Sequence, residues 1–301
     1  MSTQSLPATA AAARHGVESA PVAANRWATI RPYIGLALIV IWGLAPFYWM
    51  VVTAFRDVGF TFDTTPWFSH VTLDNFRTAF STQRGNHLGR ALLNSAIIGI
   101  ATTAIALVVG VFASYALARM RFPFKYAILG MILGASMFPV VALVTPLFSL
   151  FSNLGWLSGV NYQSMIIPDI SFALPLTVYT LTAFLGELPW ELEEAARIDG
   201  CTPGQAFRKV MLPLAAPGLF TTAILAFISA WNEYLIAQQF STGQTQPVTV
   251  AIAQFSGSQP HQEPYTAVMA AGTIVTLPLI IMVLGFQRAI VSGLTAGGVK
   301  G

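Results

Sequence analysis

The feature that most limits how this chain folds is a set of six apolar runs, each near the length of a bilayer crossing. Residues 33–55 lie between Arg31 and Arg56, and residues 91–118 between Arg90 and Arg119. Residues 126–149 follow Lys125, residues 163–185 precede Glu187, and residues 217–235 and 265–286 complete the set. A helix of about 20 mainly apolar residues crosses the hydrocarbon core, so the expected fold is an all-α membrane protein with six transmembrane helices. Inside the runs only Asp169 and Glu233 carry a formal charge, and both lie toward run ends. Charged residues make up 9% of the 301, against about 25% in soluble domains. Such a chain cannot cover a water-facing surface.

Basic residues accumulate in cytoplasmic segments, which sets the expected orientation. With the N-terminus in the cytoplasm, Arg14, Arg26, Arg31, Arg119, Arg121, Lys125, Arg197, Arg208, Lys209, Arg288 and Lys300 fall inside, and Arg56, Arg77, Arg84 and Arg90 outside. Six crossings return the C-terminus to the cytoplasm. The net charge of +3 is thus read as orientation, since these residues are too scattered to form a nucleic-acid patch. Residues 1–30, rich in Ala, Ser and Thr, are expected to be a disordered cytoplasmic tail. Residues 31–289 form the transmembrane domain, and residues 290–301 a cytoplasmic C-terminal tail without an apolar face. A cleaved leader needs a short apolar core followed by a small-residue site. Here a full-length run leads into Thr53, Ala54, Phe55 and Arg56, so it is expected to remain as the first helix. The single cysteine, Cys201, excludes an internal disulfide and a Cys-based zinc site, and is expected to be buried or half-buried.

Pro139 and Pro146 in the third run, Pro168 and Pro175 in the fourth and Pro278 in the sixth imply kinked helices. Membrane helices tolerate them where neighbours satisfy the freed backbone groups. Gly130 and Gly134 form a GxxxG pair, a pattern that permits close helix approach.

Between the fourth and fifth runs, residues 186–216 carry five of the 12 acidic residues and three of the 15 basic ones, and are long for a simple connection. Pro189 suits a first helical position, and Glu191, Glu193 and Glu194 then face the positive end of the helix dipole. Glu193 and Arg197 are spaced as an i,i+4 pair, with Asp199 close behind, and Gly200 supplies a left-handed closing residue. Thr202, Pro203, Gly204 and Gln205 read as a capping box, opening a second helix from Pro203 to about Met211. Leu212 and Pro213 end it.

The pattern Glu194, Ala195, Ala196, then Gly200, then Val210, Met211, Leu212 and Pro213 resembles the EAA loop of ATP-binding-cassette (ABC) importer permeases, with Val210 where Ile is usual. Three further stretches resemble the carbohydrate branch of that family, the maltose-transporter type: Ala116 to Pro123, Trp231–Asn232–Glu233, and Gly293 to Gly301. Gly298 departs from it, where many relatives have Ala, and the long N-terminal tail has no counterpart in the pattern. The resemblance implies a permease subunit in a bacterial cell membrane. It would be paired with a second homologous permease, two ATPase subunits and an extracytoplasmic substrate-binding protein. It also implies that the loop is a coupling helix docked in an ATPase cleft. Glu194 would meet a basic rim, Ala195 and Ala196 would allow close approach, Gly200 would form the corner, and Phe207 would be an apolar anchor toward the partner or within the loop. The C-terminal tail would reach the ATPase interface. The implied cargo is a carbohydrate, with trehalose or maltose as candidates; systems for glycerol phosphate share the pattern.

No G-x-x-x-x-G-K-[ST] segment occurs, and Lys is found only at 125, 209 and 300. The chain therefore has no P-loop and is expected to bind no cofactor, with ATP and Mg held by partner subunits. His15, His70, His87 and His261 all fall in tails or loops, away from any intramembrane acid, which argues against a membrane protease or metalloenzyme. Intramembrane acids are functional candidates, so Glu233, with Trp231 and Asn232, is a candidate pathway contact; the competing reading is a hydrogen-bonded cap. The external segment 56–90 carries Phe60, Phe62, Trp67, Phe68 and Phe76. It either meets the binding protein or lies on the membrane, and residues 238–264 form a second external contact candidate. The rival function, a self-contained ion-coupled transporter, calls for paired midplane charges or related halves, and neither is evident.

Overall fold

A computed structural model describes residues 26–82, 86–255 and 265–296. Most of the expected N-terminal tail, Arg84, His261 and the end of the C-terminal tail lie outside the described residues. Helices account for most of the rest: α1 (Arg26–Ala54), α2 (Asp74–Phe80), α3 (Leu88–Arg119), α4 (Lys125–Ala135), α5 (Val140–Asn153), α6 (Gln163–Glu187), α7 (Trp190–Ile198), α8 (Pro203–Ala206), α9 (Leu212–Leu214), α10 (Ala216–Trp231), α11 (Leu235–Phe240), α12 (Val248–Ala253) and α13 (Tyr265–Ala296). A π-helical turn, Phe207–Met211, joins α8 to α9. Among the described residues the sheet-like pairing is an isolated antiparallel bridge between Arg56 and Val71.

Four stretches are each single helices long and apolar enough to cross a bilayer: Ile30–Ala54, Leu88–Arg119, Gln163–Glu187 and Tyr265–Gln287. Two bent pairs pass the same test only when each is taken together, α4 with α5 at 84° and Pro203–Leu214 with α10 at 71°, which makes four to six candidate crossings among the described residues. The third apolar run, expected as one helix over 126–149, is therefore broken. Pro139 has no N–H to continue α4, and the Ala135 carbonyl that it would have bonded accepts instead from Phe138 N–H at 3.2 Å. The fifth run ends at Trp231 rather than 235, and the sixth helix continues past 286 to Ala296.

The chain divides into two compact units, residues 1–48 and 49–301. In the first, Leu38, Ile39, Ile41 and Trp42 are all exposed, so the helix is apolar on every side. A helix of that kind suits lipid as its solvent.

In the second unit α3 and α6 run side by side in the same direction, and α10 lies against both in the opposite sense. Lipid tails are as apolar as Leu, so helices in a bilayer associate through close contact and interhelical hydrogen bonds. The small residues Ala106, Ala173 and Ala226 meet at the centre of the three helices. Beside them a methyl group on Gly110 would lie 2.5 Å from Thr177 Cγ2, and one on Gly218 would lie 2.5 Å from Phe184 Cγ. The Ser114 hydroxyl donates across the α3–α6 seam to the Val178 carbonyl at 3.0 Å. Gly130 and Gly134, the expected GxxxG contact, have no neighbour within 4 Å.

At the end where α3 begins, Asn94 binds the segment before α12. Its amide donates to the Gln244 and Gln246 carbonyls at 3.0 and 2.9 Å, and its oxygen accepts from Tyr162 at 2.8 Å. The segment after α1 folds over a fully buried Arg56. Its guanidinium donates to the Asp63 carbonyl and, at 2.7 Å, to the Thr65 carbonyl, and sits 5.4 Å from the Trp49 ring centre.

Candidate functional site

The segment joining α6 to α10 is built from local rules. Pro189 stands at the N-cap of α7, one residue before the first helical position expected for it. Glu191 and Glu193 occupy the first turn and Arg197 the last, the order that the helix dipole favours. The helix closes through a pair of backbone bonds: Cys201 N–H donates to the Ala196 carbonyl at 2.9 Å, and Gly200 N–H to the Arg197 carbonyl at 3.1 Å. This closure needs a left-handed residue at the corner, and Gly200 has φ +89°. Two residues on, the capping box is present. Gln205 N–H donates to the Thr202 hydroxyl at 3.3 Å, and Thr202 N–H donates to the Gln205 side-chain oxygen at 2.9 Å.

Packing decides which of these residues face outward. Glu194, Ala195, Asp199 and Gly200 are exposed, Ala196 is buried, Leu212 is half-buried and Pro213 is exposed. Cys201 is half-buried. Phe207 turns inward: it is 8% exposed in a cluster with Val111, Leu181 and Met211, and its ring centre lies 4.7 Å from that of Tyr115. Phe207, expected to face a partner or to pack within the loop, packs on α3 and α6, with Met211 the buried loop residue in its cluster. The most exposed large apolar side chain of the loop is Ile198, 86% exposed, which the sequence reading did not single out.

Two residues of α3 escaped it as loop contacts. The Tyr115 hydroxyl on α3 donates to Glu193 Oε1 at 2.7 Å. Arg119, one turn later, donates through Nη2 to the Leu188 carbonyl at 2.6 Å and lies 4.7 Å from the Trp190 ring centre. Glu193 thus turns to Tyr115; the Glu193–Arg197 pair expected from i,i+4 spacing is not formed, and the one ion pair among the described residues is Arg77–Asp74. The available signal was the spacing of Glu193 and Ala196, which puts an acid on the same face as a small residue that packs inward.

At the opposite end, Glu233 accepts from the N–H groups of Ile236 and Ala237 at 2.8 Å each and so caps α11. Trp231 is 4% exposed, clustered with Ala91 and Val248. Asn232 is exposed and donates to the Ile228 carbonyl at 2.9 Å. The three neighbours therefore do not converge on one open surface. Asp169 is buried in α6, with its Oδ1 lacking a hydrogen-bond partner.

Residues 106–296, which contain α6, the whole loop and α10, match the family described as binding-protein-dependent transport system inner membrane component. The chain belongs to that family. This inner membrane component is a multi-pass permease of an ABC transporter and not its catalytic subunit. It is 47% identical to the trehalose transport system permease protein SugB of Mycobacterium tuberculosis, over 88% of this chain and 95% of that one. It is 41% identical to the trehalose/maltose transport system permease protein MalG of Thermococcus litoralis, over 89% and 95%, and 36% identical to the sulfoquinovosyl glycerol transport system permease protein SmoH of Agrobacterium fabrum, over 89% and 93%. Its fold is that of a chain in the crystal structure of a bacterial ABC transporter involved in the import of the acidic polysaccharide alginate. That match has a TM-score of 0.70 at 20% identity and covers 87% of this permease and 96% of that chain.

Proposed function

We propose that this permease carries a carbohydrate, of the trehalose or maltose class, across the membrane in an importer driven by ATP. It forms the pathway with a second homologous permease. Two ATPase subunits hold the ATP and Mg, and an extracytoplasmic binding protein delivers the cargo. The loop faces the cytoplasm, as do both termini, an orientation supported by the eleven-to-four distribution of basic residues. The loop acts as the EAA coupling element. Closure of the ATPase pair displaces it, and α6 and α10, joined to its two ends, tilt to switch access from one side to the other.

The observation that carries this reading is the division of α7 into two faces. Glu193 and Ala196 are buried, Glu193 against Tyr115 of α3, while Glu194, Ala195, Ile198 and Asp199 stand open to solvent. A short helix does not hold its shape alone in water, and this one is held from behind. A solvated acid beside a nearly bare aliphatic side chain suits a cleft with a basic rim and an apolar floor. The relatives support the cargo class, since the names of two of them include trehalose.

The test is purification of the chain in detergent, followed by an ATPase assay of what accompanies it and uptake of trehalose, maltose and glycerol phosphate into proteoliposomes. Capture of an ATPase that Gly200→Asp removes, with uptake of either disaccharide, is the expected result. Uptake of glycerol phosphate alone would move the cargo class. A lone chain that transports without ATP would overturn the reading.

A further inference from the structure

Tyr115 and Arg119 are one helical turn apart and therefore share a face of α3. That face grips both arms of the loop. On the α7 arm, Tyr115 bonds Glu193 at 2.7 Å, while Arg119 bonds the Leu188 carbonyl at 2.6 Å and covers Trp190. On the other arm, the Tyr115 ring lies against Phe207. Alpha3 has no covalent neighbour in the loop; its nearest bonded partner there is 69 residues away in sequence. These contacts tie α3 to the loop directly, beside the seam along which α3 packs on α6.

The charges in this joint are only half satisfied. Glu193 and Arg119 are 7% and 6% exposed. Glu193 Oε2, Arg119 Nε and Arg119 Nη1 are buried with no hydrogen-bond partner. Burying idle polar groups is costly, and a buried charge lacking its partner is costlier still. Yet a carboxylate and a guanidinium meet at one joint without forming an ion pair within 4.0 Å. The Glu193 carboxylate has two seats available: the Tyr115 hydroxyl, which it occupies here, and the Arg119 guanidinium, which has two idle nitrogens, Nε and Nη1. A two-state element of this kind is what physical coupling between distant parts requires.

We propose that Glu193 is a positioning residue of the transport cycle: its carboxylate ties the loop to α3 through Tyr115 in the arrangement described and through Arg119 once the loop tilts, so that α3 follows the loop in both access states. The proposal rests on the coupling reading above and extends it from α6 and α10 to a third helix. Glu194, one position on, points to the partner; Glu193 points home.

The test uses the assembled transporter in proteoliposomes, with trehalose and maltose as probes. It reads ATP hydrolysis, uptake and the yield of intact complex. Glu193→Ala removes both seats and is expected to lower uptake per ATP hydrolysed by about tenfold, the weight of a hydrogen bond to a charged group. Tyr115→Phe removes one seat, and Glu193→Gln keeps the acceptor for Tyr115 but forfeits the charge for Arg119; each is expected to lower the ratio by about threefold. In the double variant Tyr115→Phe, Glu193→Ala the effects should fail to add, as expected of residues acting through one contact. An unchanged ratio in Glu193→Ala overturns the joint, as does a fall of uptake and hydrolysis together in proportion to complex yield, which marks a structural prop. Should Glu193→Ala not assemble, an unchanged ratio in both near-isosteric variants overturns it equally. Absence of ATP-driven uptake by the unaltered complex overturns the coupling reading and the joint with it, whereas normal coupling in the variants overturns the joint alone.

Discussion

Gly110 on α3 lies directly against Thr177 on α6, where a single added methyl group would come within 2.5 Å of Thr177 Cγ2. Thr177 cannot easily rotate away, because its hydroxyl donates to the Ala173 carbonyl at 2.8 Å. Gly110→Ala is therefore expected to lower stability by about 1–3 kcal/mol, the usual cost of overfilling a packed contact. Thr177→Ala in the same chain should recover most of it. Thermal unfolding in detergent measures both, and an unshifted midpoint in Gly110→Ala would show that the seam between α3 and α6 has slack.

Removal of the Thr202 hydroxyl should loosen the second arm of the loop. Thr202→Ala is expected to cost about 0.5–2 kcal/mol, and Thr202→Ser to cost little, since Ser offers the same acceptor to Gln205 N–H. Hydrogen exchange at the Gln205 amide reads the change locally. Equal protection in both variants would mean that the capping box contributes nothing.

Ile198 is 86% exposed and touches nothing that the fold depends on. Ile198→Asp should accordingly leave the unfolding midpoint of the isolated chain within about 0.5 kcal/mol of its original stability, as surface substitutions do. Capture of an ATPase subunit should drop sharply, because a charge would then face an apolar floor. Retained capture would exclude this face of α7 from the docking surface.

Asp63, in the segment between α1 and α2, gives a pH dependence of known sign. The Thr65 hydroxyl, donating at 2.8 Å, is the main cause that holds its carboxyl below the ordinary 3.8, helped by the Thr65 N–H and the Ser69 hydroxyl. A carboxyl depressed in the fold adds stability that is fully present above the unfolded value and is lost as pH falls through the folded one. The turn around Asp63 should thus hold its shape from neutral pH down to 3.8 and loosen only below it. A spin label at Thr64→Cys in a Cys201→Ser background reports the mobility. Loosening that begins above pH 5 would contradict the sign, and Asp63→Asn should abolish the transition.

Local grammar was the part of this fold most readable from residues alone. Thr202 with Gln205, and Gly200 at the corner, act over a few residues, so their neighbours in sequence are their partners in space. The apolar runs were legible for the same reason: crossing a bilayer depends on the length of one segment. Which way a side chain faces depends on other helices. Phe207 reads as turned either to a partner or into the loop, and Glu193 as paired with Arg197, until α3 is placed beside them, and Gly130 with Gly134 matches a packing motif while Gly110 and Gly218 form the close contacts. The break before Pro139 was visible only as a proline that membrane helices tolerate. Whether such a helix kinks or turns through 84° is decided by packing.

The meeting of Ala106, Ala173 and Ala226 bears on how this protein responds to temperature. Pulling these helices apart within a bilayer exchanges contact with protein for contact with acyl chains and brings little water to apolar surface. The large heat-capacity increase that bends the stability curve of a water-soluble domain comes from that hydration, and here it is largely missing. Separation of the three helices should follow a nearly straight line with temperature, with no loss of cohesion in the cold.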